Sequence, residues 1–92
     1  LLRRGDGAGA VVQLEKALPL VAQTAGEGSQ AAAELALALA DAQTAARAYE
    51  PARGNYARAL AILTALYGER HPSLAAVYNN LGVHYAARLD YA

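Results

Sequence analysis

The hydrophobic and polar positions of this chain follow a helical period, not a strand period. Leu35, Leu39 and Ala42 recur at helical spacing and predict a helix from about Gln30 to Ala46. Val77, Tyr78, Leu81 and Tyr85 form a second apolar stripe and predict a helix from about Pro72 to Arg88. Between them a third helix is expected from about Tyr49 to Tyr67, with Pro51 tolerated in its first turn. Ahead of them, one is expected from about Ala8 to Thr24. Residues 1–4 would be the tail of an earlier helix, and Leu89-Asp90-Tyr91 the start of a fifth.

Local chemistry punctuates these elements. Gly68 can end a helix in the left-handed C′ conformation, and Pro72 is preset for the first turn of the next. Gly26-Glu-Gly28 reads as a loop, with Ser29 as N-cap of the second helix. Two places work against the pattern. Pro19 lies mid-helix, where proline costs about 3 kcal/mol, so a kink or break is expected near Leu18. Gly54-Asn55 could be a turn inside the third helix, with Tyr56 starting the helix instead.

An internal repeat favours the continuous third helix. Gly5, Arg47 and Leu89 are equally spaced, and in the register they define Asp6, Ala48 and Asp90 align, as do Tyr49 and Tyr91. Ala10 falls on Ala52, Leu14 on Tyr56, Lys16 on Arg58, Ala17-Leu18 on Ala59-Leu60, and Leu20 on Ile62. Gly26-Glu27 falls on Gly68-Glu69, Ala33 on Ala75, Leu35 on Val77, and Leu39-Ala40 on Leu81-Gly82. The units run from about 5 to 46 and 47 to 88, with a further unit beginning at 89–92.

The second unit carries Tyr49-x-x-Ala52, Tyr56-x-Arg58-Ala59-Leu60-Ala61-Ile62, Gly68-x-x-His71-Pro72, Asn79-Asn80-Leu81-Gly82 and Asp90-Tyr91. This resembles the 42-residue tetratricopeptide repeats of the kinesin-light-chain type, widespread in bacterial proteins. The resemblance is closest over 49–91. Over 5–48, Ser29-Gln30 replaces His-Pro, Ala38 replaces Asn80 and Gly7 replaces the Tyr, and Arg47 and Leu89 stand where the family has Gly. The period exceeds the common form of about 34 residues by roughly two helical turns. The resemblance implies an all-α solenoid of antiparallel helix pairs, whose first helices line a concave groove that holds an extended peptide. Such pairs bury their apolar faces only by stacking, so the terminal helices should expose apolar faces open to further repeats or to self-association.

Composition narrows the chemistry. Hydrophobic residues make up 55% of the 92, but much of that is alanine, which favours close helix packing over a thick core. The chain has no Cys, Met, Trp or Phe, and six tyrosines supply all its aromatic rings. Without cysteine there is no disulfide framework and no thiolate metal site, which fits a reducing, cytoplasmic compartment. Net charge is zero, with no basic stripe for nucleic acid or anionic membrane, and the apolar run from Leu35 to Ala40 is too short to span a bilayer. The opening Leu1-Leu2-Arg3-Arg4 does not read as a signal peptide, and the chain reads as part of something longer.

No catalytic constellation emerges, and no enzyme, cofactor or metal is expected. His71 reads as a turn residue ahead of Pro72, and His84 as a solvent-facing or groove-edge residue. Gly5-Asp-Gly-Ala-Gly9 follows no strand and lacks the Lys-Ser/Thr of a phosphate loop, so it reads as a frayed helix start. Tyr49, Tyr56, Tyr78 and Tyr85 read as packing residues with the hydroxyl at a polar edge. Asn79-Asn80 is the strongest functional signal, because adjacent asparagines oppose helix propensity. One amide is expected to fix inter-helix packing and the other to face the groove. The register places Asn79, Asn80, Val83 and Ala86 on the groove side of the last helix, with Leu37, Asp41 and Thr44 as earlier counterparts. The function expected is a non-catalytic scaffold that binds a peptide or partner helix. A regulatory docking segment of a larger enzyme, such as a bacterial protein kinase, and a structural spacer or self-assembly element are the alternatives.

Overall fold

The computed structural model describes residues 4–89 of the chain, with side-chain surroundings given for residues 9–87. Four helices fill this span: α1 (Arg4–Ala25), α2 (Gln30–Ala45), α3 (Tyr49–Tyr67) and α4 (Pro72–Leu89). No strand occurs among the described residues. The expected fifth helix at Asp90-Tyr91 and the segment Leu1-Leu2-Arg3 lie outside them.

Helix α1 corrects the expected start and excludes a break at Pro19. It opens at Arg4, so Gly5, Gly7 and Gly9 are helical. Each glycine costs about 1 kcal/mol against alanine, but extending an existing helix is far cheaper than nucleating one. It also runs unbroken through Pro19. Proline removes the bond to the Glu15 carbonyl and its ring crowds that carbonyl, but both residues lie on an exposed flank where the carbonyl can turn toward water, while neighbouring Leu18 stays buried. Helix α3 likewise passes through Gly54-Asn55 without a turn.

The loops span only 26–29, 46–48 and 68–71, so each helix packs against its predecessor. Gly26 and Gly68, equivalent in the repeat register, both have positive φ (102° and 85°), and each donates its N–H to a carbonyl one helical turn back. Gly68 has ψ 173°, so it occupies a region open essentially to glycine alone, not the left-handed helical conformation expected. Arg47 adopts φ 66°, a left-handed conformation at the position where the resemblance has glycine. Ser29 caps α2, its Oγ accepting from the Ala32 N–H at 3.1 Å. His71, the counterpart of Ser29 in the second unit, caps α4 with Nδ1, which accepts from the Ser73 N–H at 3.1 Å, and its ring stacks on Tyr67 at 4.3 Å.

Helix α2 is the centre of the molecule. It packs against α1, α3 and α4, whereas among the described residues α1 packs against α2 alone. Its buried face is mostly alanine: Ala32, Ala33, Ala36, Ala40 and Ala42, with Leu39. Small residues let neighbouring helices approach on three sides, which is how an alanine-rich chain closes its core. One cluster joins Ala33 to Leu63, Leu74 and Val77; another joins Ala40 to Ala52 and Tyr56. Leu37 and Leu81 pack against both.

Candidate functional site

The residues singled out in the sequence meet where α2, α3 and α4 converge. Tyr56 is 1% exposed, and its hydroxyl donates to Asp41 Oδ1 at 2.6 Å. Asn80 Nδ2 donates to Asp41 Oδ2 at 3.1 Å. One carboxylate on α2 therefore ties α3 with one oxygen and α4 with the other. Thr44 Oγ1 donates to the Ala40 carbonyl at 2.9 Å and lies 3.1 Å from His84 Nδ1. A hydroxyl has one proton to give. With the Thr44 proton on Ala40 and the Tyr56 proton on Asp41, His84 donates through Nδ1–H to Thr44.

His84 corrects the sequence reading: it is 0% exposed, not groove-edge. The rings of Tyr49, Tyr56 and Tyr85 meet it edge-on at 5.7, 5.5 and 5.1 Å. The edge of one ring against the face of another is the arrangement their quadrupoles favour. Tyr78 and Tyr85 are 57% and 47% exposed, so the expected stripe of α4 is rotated. Its buried side is Leu74, Val77 and His84 with half-buried Leu81. Burial and then the hydrogen bond to Asp41 push the Tyr56 phenol far above its usual range.

The expected groove residues fall into two sets. Leu37, Thr44 and Asn80 are partly buried where helices meet, and Asp41, although exposed, is engaged by Tyr56 and Asn80. Asn79, Val83 and Ala86 are exposed and form one stripe of α4, Val83 at 61%. Of the two asparagines, Asn80 therefore joins helices, and Asn79 faces outward.

A second polar contact was not legible in the sequence. Gln43 is buried on the apolar face of α2, and its Oε1 accepts from Asn55 Nδ2 at 2.9 Å. That bond accounts for an asparagine inside α3; the only cue was a glutamine in line with Leu39. The pair sits in an open cleft of about 980 Å³ bounded also by Leu18, Pro19, Leu39 and Arg58, where α1 and α3 diverge over α2. Among the described residues no group of three His, Asp or Glu side chains could hold a metal, and no helix is long and apolar enough to cross a membrane.

No protein-family model, curated protein or solved structure matches the chain.

Proposed function

We propose that the chain is a segment of a tetratricopeptide-type solenoid that acts as a cytoplasmic, non-catalytic scaffold and binds an extended peptide along α2 and α4. The observation that carries this reading is the exposed stripe of Asn79, Val83 and Ala86 beside the α2–α4 seam. The seam is held by the Asp41–Asn80 bond. A helix surface with an outward amide beside small apolar side chains suits a peptide, whose backbone needs hydrogen-bond partners and whose side chains need shallow contacts.

Two features support the solenoid reading. In a closed four-helix bundle the first and last helices meet, but among the described residues α1 packs on neither α3 nor α4. The two units also repeat their punctuation, with Gly26 and Gly68 at positive φ, and Ser29 and His71 as caps, each pair one repeat apart.

A peptide-library selection on the chain and on an Asn79→Ala/Val83→Asp variant tests the reading. These side chains are exposed, so helicity should be unchanged. Peptides enriched on the parent should bind the variant at least about tenfold more weakly, a difference of roughly 1.4 kcal/mol. No enrichment, or enrichment indifferent to both changes, would overturn it. Asp41→Ala is the poorer probe, because it also removes the partner of Tyr56 and Asn80.

A further inference from the structure

The cleft where α1 and α3 diverge over α2 has polar groups set among apolar ones. Leu39 and Gln43, one turn apart on α2, lie at its floor, with Leu18 of α1 beside them. Gln43 is 4% exposed, yet only half of its amide is used. Its Oε1 accepts from Asn55 Nδ2, while Gln43 Nε2 and Asn55 Oδ1 enter no hydrogen bond among the described residues. Neither atom is sealed from solvent. A nearly buried donor and an adjacent acceptor are thus left open to the cleft. Such groups cost free energy unless water or a ligand serves them. The wall adds another acceptor: Pro19 has no N–H for the Glu15 carbonyl, and both residues line the cleft.

Helix packing does not require this polarity. In the repeat register Gln43 falls on Tyr85, Glu15 on Ala57 and Pro19 on Ala61, so the second unit does without it. A further repeat would not close the cleft either. A helix ahead of α1 would pack on Ala10, Leu14, Ala17 and Val21, the counterparts of the buried stripe of α3. The cleft is lined by a different stripe of α1, with Glu15, Leu18 and Ala22.

We propose that the cleft is a second recognition site, which takes a peptide segment of a partner protein by a carboxamide side chain, asparagine or glutamine. The carboxamide oxygen accepts from Gln43 Nε2–H, and its N–H groups donate to Asn55 Oδ1 and the Glu15 carbonyl. A primary carboxamide supplies that acceptor and both donors from one planar group. Apolar side chains next to it in the segment pack on Leu18 and Leu39. The two sides carry opposite charge, Arg58 on α3 and Glu15 and Glu27 on or just after α1. The segment that fits therefore bears an acidic residue on one flank of the carboxamide and a basic residue on the other. A volume of about 980 Å³ accommodates such a short segment.

This site is separate from the groove of the proposed function. Asp41, two residues from both Leu39 and Gln43, faces the other side of α2, and Asn79 and Val83 belong to α4, which does not line the cleft. The two readings can therefore fail separately.

The test follows the side-chain amide signals of Gln43 and Asn55 by NMR in the 15N-labelled chain. Two end-blocked pentapeptides, lysine-leucine-glutamine-leucine-glutamate and its reverse, are added to about 10 mM, enough to detect weak binding. At least one should shift both signals to saturation. Leucine in place of the central glutamine should weaken binding at least about tenfold, as should Gln43→Leu in the protein. Gly54→Leu supplies a variant that breaks no contact: Gly54 lines the cleft, and an added Cβ meets nothing within 4 Å. It should block the site with helicity retained, whereas Asn79→Ala/Val83→Asp should bind as the parent does. No saturable shift with either peptide, equal affinity for the leucine peptide, binding indifferent to Gly54→Leu, or binding lost in the Asn79/Val83 variant would each overturn the proposal.

Discussion

Tyr56 concentrates the consequences of the fold in one side chain. Its ring fills the α2–α3 core, and its hydroxyl reaches the surface at Asp41. Tyr56→Phe keeps the ring and removes one donor to an exposed carboxylate that water can reach, so the cost should be about 1–2 kcal/mol in a denaturant titration. Alkaline pH should reveal the same residue. Burial, helped by Asp41, holds the folded-state phenol above its unfolded value near 10. The unfolded chain therefore loses this proton first. The contribution is fully present below about pH 10 and is lost as pH rises from there toward the folded value. Stability measured from pH 8 to 11 should fall more steeply for the parent than for Tyr56→Phe. Parallel curves would show that Tyr56 titrates alike in both states.

At the scale of the helix, two glycines in one unit should respond in opposite ways. Gly54 lies on an exposed flank of α3, and an added Cβ would meet nothing within 4 Å, so Gly54→Ala should stabilise by about 0.5–1 kcal/mol. Gly68 also has space around it, but its φ of 85° with ψ of 173° strains any other residue, so Gly68→Ala should destabilise by about 1–3 kcal/mol. Thermal melts with opposite shifts would bear this out; shifts of one sign would refute it. The contrast also marks what the sequence discloses. Gly68 as a helix end and Ser29 as a cap were legible because each depends on local chemistry; that one of Asn79 and Asn80 would join helices was legible too, but not which, because a neighbouring helix decides it. The start of α1 was not, because local propensity disfavours glycine while the adjoining helix carries it along. Helical period likewise reveals a stripe without saying which flank a neighbour will cover. On α4 that ambiguity amounts to a small rotation, which buries His84 and leaves Tyr78 and Tyr85 outside. Gln43 met Asn55 for the same reason: no short-range pattern links residues on two helices.

For the molecule as a whole, order of stability follows from connectivity. Helix α2 is gripped by three neighbours and α1 by one. The long dimension of 34 Å is close to the roughly 33 Å of a 22-residue helix. The fold is therefore about one helix long, and each helix lies beside its neighbours over most of its length. Opening α1 exposes Leu18 and its side of the α2 face, including Leu39, but leaves both core clusters of α2, α3 and α4 intact. Opening α2 dismantles everything. Local unfolding free energies should therefore rise from α1 to α2. Hydrogen exchange on a dilute sample should show α1 amides exchanging at least about tenfold faster than those of α2, a gap of roughly 1.4 kcal/mol. Equal protection of α1 and α2 would mean that α1 belongs to one cooperative unit with the rest.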